Sequence, residues 1–239
     1  MNRLKDKVAI VTGSSSGIGK AIALRFGAEG AKVVVMARRM ALCEQTVVQI
    51  SQAGGEAWAM QTDVADERQV ERLIEETVKR YGRLDILVNN AGIIAGGRIA
   101  ETTTKSFDEV INVNLRGTLF CCRAGFKQMK KQGGGTIINM SSVAGLQAWA
   151  GTGTYSASKH GMMALTKSLA DEGRPHHIKV SAICPGGVAD DLVDASPEEI
   201  LHSEKIDPFD VAETAVYLAT LGKYTVVHQV VIDRLGADW

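Results

Sequence analysis

Short apolar runs rich in β-branched residues recur along the chain, with segments long enough for helices between them. The runs are Val8–Val11, Lys32–Met36, Ala57–Gln61, Ile86–Asn89, Thr136–Met140, Lys179–Ile183 and Val230–Ile232. The helix-length segments are Gly17–Glu29, Met40–Ala53, Glu67–Tyr81, Phe107–Lys130 and Tyr155–Asp171. Strands this apolar must be covered on both faces, and helical crossovers let successive strands run parallel. The pattern predicts an α/β fold, a doubly wound parallel sheet of about seven strands with helices on both faces. Gly133-Gly134-Gly135 reads as a helix-to-strand turn. No Pro/Ser-rich linker, repeat or low-complexity tract divides the 239 residues, so 1–239 is read as a single domain.

Charge and cysteine content narrow the function classes. Twenty-seven basic and 27 acidic residues cancel, so nothing global favours nucleic acid or an anionic membrane. Runs such as Val33-Val34-Val35-Met36 are too short to span a bilayer, and Met1–Val8 lacks the apolar stretch of a secretory signal. Cys43, Cys121, Cys122 and Cys184 show no CxxC spacing and read as buried free thiols of a cytoplasmic protein. His176-His177 follows Pro175 in an expected surface loop with no third ligand nearby, so no metal site is expected.

The first strand runs into Thr12-Gly13-Ser14-Ser15-Ser16-Gly17-Ile18-Gly19 and then a helical pattern. Glycines let a backbone turn sharply and approach a pyrophosphate, and a helix N-terminus offers free N–H groups and a positive dipole end. A glycine-rich turn after the first strand of a β/α chain therefore points to a dinucleotide site. No Gly-Lys-Ser/Thr follows, which disfavours nucleoside-triphosphate chemistry. An NAD site commonly carries an acidic residue at the end of the second strand. This chain has Ala37-Arg38-Arg39, whose guanidinium groups suit the 2′-phosphate of NADP.

Tyr155 and Lys159 stand four residues apart, on one face of a helix. A free phenol titrates near 10, and a neighbouring cation pulls that value toward neutrality. The pair suits a general acid/base for moving a proton on or off an alcohol.

With these features in place, the chain resembles the short-chain dehydrogenase/reductase family over essentially its whole length. The resemblance rests on Thr12-Gly-x-x-x-Gly-Ile-Gly19, Asp63-Val64, Asn89-Asn-Ala-Gly92, Asn112-Val-Asn-Leu115, Ser141-Ser142, Tyr155-x-x-x-Lys159 and Pro185-Gly186, in that order. It implies a Rossmann-like fold and NADP(H) as cofactor. Tyr155 would be the general acid/base, and Ser142, rather than its neighbour Ser141, would polarise the carbonyl. Lys159 would lower the phenol's pKa and hold the nicotinamide ribose, while Asn114 would anchor a relay water. The resemblance also assigns the cofactor Gly13, Ser15, Ser16, Gly17, Ile18, Gly19, Arg38, Arg39, Asp63, Val64, Asn90, Ala91, Gly92, Tyr155, Lys159, Pro185, Gly186 and Val188. Asn89 is expected to serve the sheet.

Four departures stand out. Where the family commonly continues Pro-Gly-x-Val-x-Thr, this chain reads Pro185-Gly-Gly-Val-Ala-Asp190, then Asp191. A carboxylate beside phosphates repels them, so either the loop turns away or the cofactor is held more weakly. The substrate-covering segment, about residues 188–207, is short, with a helix start at Ser196-Pro197. Arg234-Leu235 replaces a customary glycine pair after the last strand, and Ser181 an asparagine. Trp149 is expected in the substrate-pocket wall, and Met162 and Met163 in the core or a subunit contact.

The expected activity is NADP(H)-dependent interconversion of a carbonyl and a secondary alcohol, with 3-oxoacyl-thioester reduction the leading substrate assignment. A small 3-hydroxy acid dehydrogenase, and a catalytically weak nucleotide sensor, are the alternatives. The family resemblance further implies a homo-oligomer, a tetramer before a dimer, joined through Phe107–Lys130 and Tyr155–Asp171. No nucleic-acid or membrane partner is expected.

Overall fold

The computed structural model describes residues 2–196, 198–199 and 204–235. Seven strands, β1 Val8–Thr12, β2 Lys32–Ala37, β3 Glu56–Gln61, β4 Ile86–Asn89, β5 Gly135–Met140, β6 Ile178–Pro185 and β7 Gln229–Ile232, form one sheet. Its order is β3-β2-β1-β4-β5-β6-β7 and every pairing is parallel. β1 shows why the apolar runs had to be continuous. Ala9 and Val11 face one core cluster, Ile10 faces the other, and all three are fully buried. Helices α1 (Gly17–Ala28), α2 (Met40–Gln52) and α7 (Pro208–Thr220) cover the first face through Ile22, Phe26, Ile50 and Val211. Helices α3 (Glu67–Tyr81), α5 (Gly117–Gln132) and α6 (Gly153–Gly173) cover the second through Leu73, Cys121, Met129 and Ala170.

The strand order reverses between β1 and β4, and in such sheets a crevice opens there at the strands' C-terminal ends. A buried polar chain fixes the register beside it. Asn89 Nδ2 donates to Asn139 Oδ1 at 2.8 Å, and Asn139 Nδ2 donates to Thr166 Oγ1 at 2.8 Å. Asn89 thus serves the sheet, as expected. Gly133, with φ +85°, ends α5 in the left-handed conformation at the glycine turn.

Two elements differ from the sequence expectation. The helix anticipated over Phe107–Lys130 is α4 (Thr104–Val110), a π-helical stretch Ile111–Arg116, and then α5. The Asn114 side chain is tied to the Ile93 backbone within that stretch, a tertiary constraint that helical periodicity does not reveal. Helix α7 was not anticipated, although its start is written in the sequence. Asp207 accepts from Phe209 N at 2.8 Å, and Pro208 fills the first turn. At Ser196 and Glu199 the capping bonds are reciprocal, while Pro197 lies outside the described residues. Among the described residues no helix is long and apolar enough to cross a membrane.

Candidate active site

A cleft of about 800 Å³ lies across the strand ends at the β1–β4 crossover. Every residue that the sequence assigned to cofactor or proton chemistry lines it, except Gly19 and Asn114. Those two stand just behind the wall.

At one end, the turn into α1 is pinned from β4. Asn90 N and Ala91 N both donate to Thr12 Oγ1 at 2.9 Å, and Asn90 Nδ2 donates to Thr12 O at 3.0 Å. Gly19 makes this possible, since a Cβ there would lie 2.4 Å from both Asn90 Nδ2 and Gly13 O. Arg39 reaches from the end of β2 to the turn, 3.2 Å from Ser16 Oγ and 3.5 Å from Ser15 Oγ. Arg38 also lines the cleft, and its backbone carbonyl accepts from Gln61. Asp63 accepts from Ala65 N, Val64 packs on Gly117, and the neighbouring Thr62 hydroxyl is buried without a hydrogen-bond partner among the described residues.

At the other end, Ser142 follows β5, and α6 carries Tyr155 and Lys159. Ser142 accepts from Ala144 N at 3.1 Å, and its single proton serves either Pro185 O, at 3.3 Å, or the Tyr155 hydroxyl. Ser141 points the other way, buried against Gly145 and the Lys159 carbonyl. Lys159 is 3 % exposed, donates to Met140 O at 2.7 Å, and lies 5.6 Å from the Tyr155 ring centroid. Burial pulls its ammonium down to about 8, with the Cys184 thiol acting weakly in the opposite sense.

The phenol departs from the sequence expectation. Burial pushes Tyr155 above its ordinary value; the Ser142 hydrogen bond opposes this, and the Asp190 carboxylate adds to it. Lys159 does not pull it down here, because its ammonium lies over the ring face and is committed to the Met140 carbonyl.

Asn114 is fully buried behind Gly92. Its amide donates to Ile93 O at 2.9 Å and Ser158 Oγ at 3.1 Å, and accepts from Ile93 N at 2.8 Å. A Cβ on Gly92 would be in ordinary contact with both groups, 3.4 Å from Asn114 Oδ1 and 3.7 Å from Lys159 Nζ, so Gly92 stands between the two. Met140 and Ile93, which hold Lys159 and Asn114 through backbone atoms, were missed by sequence reasoning. Backbone anchors leave no residue-type signal. Trp149 is 43 % exposed in the turn before α6 and does not line the cleft; Ile93 and Ile94 do.

The loop after β6 settles the question raised by Asp190: it turns inward. Asp190 Oδ1 accepts from Ile18 N, in the first turn of α1, at 3.0 Å.

The pinned glycine turn, the guanidinium beside Ser15 and Ser16 and the Thr62 hydroxyl, unpartnered among the described residues, fit a dinucleotide; the Asp190 and Asp191 carboxylates, which also line the cleft, do not. The comparisons agree on the family. The model of the short chain dehydrogenases matches residues 7–200. A 3-oxoacyl-[acyl-carrier-protein] reductase from Synechocystis sp. is 40 % identical over 226 residues, covering 92 % of each chain. A 3beta-hydroxysteroid dehydrogenase from Mediterraneibacter gnavus is 38 % identical, over 84 % of this chain and 72 % of that one. A metagenomic short-chain oxidoreductase solved in complex with NADP superposes with a TM-score of 0.86 at 34 % identity, over 98 % of this chain and 99 % of its own. The chain therefore belongs to the short-chain dehydrogenase/reductase family of nicotinamide-dependent oxidoreductases.

Proposed function

We propose that the protein interconverts a carbonyl and a secondary alcohol with NADP(H), Tyr155 serving as general acid/base. The observation that carries the cofactor preference is Arg39 at the glycine turn, with Ala37 where an acidic residue would select NAD. Arg38 and Arg39 would hold the 2′-phosphate, Asp63 and Val64 the adenine, and Asn90 to Gly92 with Pro185, Gly186 and Val188 the nicotinamide half. The bound cofactor supplies or accepts the hydride. Ser142 and Tyr155 donate to the oxygen as it gains charge, where preorganised donors act most strongly. Tyr155 gives up its proton, and Lys159 resupplies it. Asn114, across Gly92 from Lys159, passes protons on through a water held at its backbone carbonyl, which also accepts from Thr118 Oγ1 at 2.8 Å.

A 3-oxoacyl thioester is the proposed substrate, supported by the reductase relative from Synechocystis sp.. The protein works in the cytoplasm on this reading, in keeping with its four buried thiols. It assembles as a homotetramer, because exposed apolar side chains stand on two separate faces. Phe107 on α4 and Leu119 on α5 are exposed in one region of the chain, and Tyr217, Tyr224 and Val231 lie around β7. Light scattering on a sizing column tests the assembly.

A turnover assay with 3-oxoacyl thioesters, small 3-hydroxy acids and simple ketones, run with each cofactor, tests the activity. Reduction of the thioesters with NADPH is expected. Arg39→Ala should weaken NADPH binding about 10–100-fold, the size of a lost charge-assisted pair, and leave NADH unchanged. Equal losses would refute the 2′-phosphate assignment. NADPH binding without turnover of any member would point to sensing instead.

A further inference from the structure

Helix α1 begins without a side-chain cap from Ser16 and has no acidic residue in its first turn. Its leading N–H groups are the natural seat of an anion. That seat is served by a residue 172 positions away, the Asp190 carboxylate on Ile18 N. Gly17, with φ +55°, admits it: a Cβ there would lie 2.8 Å from Asp190 Oδ1.

The segment around Asp190 is held down on α1. Ala189 N donates to Ile206 O and Ile206 N to Gly187 O, each at 2.9 Å, and Val188 bridges Ile206. Ala189 is fully buried and Val193 nearly so. One turn along, Lys20 Nζ donates to both Asp194 carboxylate oxygens at 2.6 and 2.7 Å, and Lys20 itself is almost buried. The placement of Asp190 is thus set by backbone pairing on one side and an ion pair on the other.

We propose that Asp190 is an internal competitor of the cofactor's diphosphate, occupying the α1 seat until the 187–194 segment shifts or the carboxyl takes up a proton. This rests on the cofactor reading above. Two anions cannot share one set of N–H donors without strong repulsion. Observed affinity is therefore lowered by the fraction of molecules in which the seat is free. The groups facing Asp190 are the Ile18 N–H from α1, Asp191 beside it, Lys205 from the paired segment and the Tyr155 phenol from α6. Partial burial first, and then Asp191, hold its carboxyl above the ordinary range, against the Ile18 bond and Lys205. The same carboxylate holds the Tyr155 phenol up. Displacing it therefore does two things at once: it opens the phosphate seat and eases Tyr155 toward phenolate.

Titration calorimetry with NADP⁺ and, separately, adenosine 2′-phosphate tests this on wild type and Asp190→Asn, at several pH values from about 5.5 to 8. The amide keeps an acceptor for Ile18 N, so the turn stays capped. Asp190→Asn should bind NADP⁺ about tenfold more tightly at pH 8 and bind the diphosphate-free adenosine 2′-phosphate unchanged. Wild-type affinity for NADP⁺ should rise as pH falls, and the variant's should rise less. Equal NADP⁺ affinities with parallel pH profiles, or weaker binding by the variant, would overturn the proposal. Failure of both proteins to bind either ligand would instead remove the cofactor reading on which it rests.

Discussion

At the Tyr155 end of the cleft, the chain provides for its own polar groups. Lys159 donates to Met140 O, Asn114 is fixed by Ile93 and Ser158, and Ser142 holds Ala144 N. At the α1 end the turn is as firmly built, but the N–H of Ile18 is satisfied by a carboxylate borrowed from a loop 172 residues downstream. The first arrangement is held by the chain's own groups, and the Asp190 carboxylate touches it only by holding the Tyr155 phenol up. On the proposed cofactor reading, the second must exchange one anion for another before a diphosphate can sit down. On that reading preorganisation is unevenly distributed within one site, concentrated at the Tyr155 end and withheld at the α1 end.

The strongest way to break this contrast is at Tyr155. Tyr155→Phe should lower kcat about 10²–10⁴-fold, the usual weight of a positioned acid/base, while NADP⁺ affinity by calorimetry stays within about twofold. A matching loss of affinity would show that the two ends are not separable. Next in size is Gly19→Ala at the other end. Its Cβ would meet Asn90 Nδ2 and Gly13 O at 2.4 Å, so a loss of about 1–3 kcal/mol in urea unfolding is expected, with cofactor binding impaired. An unchanged midpoint would mean that the turn is softer than its pinning implies.

Lys159 sharpens the comparison through pH. Its folded value, about 8, lies below the ordinary 10.5, so between these values the unfolded chain holds more protons. Stability contributed by this group therefore rises with pH across that window, by at most about 3 kcal/mol. Burial of the cysteines raises their thiols and works the other way, so the readout is the gap between wild type and Lys159→Met in urea titrations at pH 7 and 10. The gap should move in favour of wild type; a constant gap would place the lysine in a wetter site.

The smallest effect lies on the 187–194 segment. Burial holds Asp190 above the ordinary carboxyl value, so its contribution to stability grows as pH falls through its folded value toward 3.8. Asp194 is held below that value, first by the Lys20 hydrogen bond, so its contribution is lost as pH falls under 3.8. Both side chains meet solvent, and each term should stay under about 1 kcal/mol. Thermal melts of Asp190→Asn and Asp194→Asn across pH 3 to 6 should bend in opposite senses, and parallel curves would remove the distinction.

Much of this was legible in the residues. The strands could be read because burial on both faces leaves no polar position in runs such as Val33–Met36. Tyr155, Lys159 and Ser142 could be read because their spacing is fixed by one helix and one strand end. What the sequence concealed depends on tertiary partners. The downward shift expected of Tyr155 fails because helical spacing places Lys159 near the ring, while the Met140 carbonyl draws its ammonium elsewhere. Asp190 was visible as a misplaced charge, yet its direction is decided by pairing with Ile206, which no local pattern announces. Helix α7 was missed for another reason. Its Asp207-Pro208 start was in view, but apolar and small residues spread around it blur any polar face.

The π-helical stretch at Ile111–Arg116 carries a consequence for the long helix as a whole. A wider turn breaks the angular phase between the residues before it and those after it. Residues of α4 and α5 therefore do not share one continuous stripe, and each half is free to face its own neighbour. The latter half turns Cys121, Cys122 and Met129 onto the sheet, while Asn114, within the wide turn, faces the cleft's back wall. Deleting one residue from 111–116 would restore an even spiral and leave α5 on the sheet, but would remove the wide turn that aims Asn114 at Ile93. The wide turn is thus what lets one long helix serve both the core and the cleft.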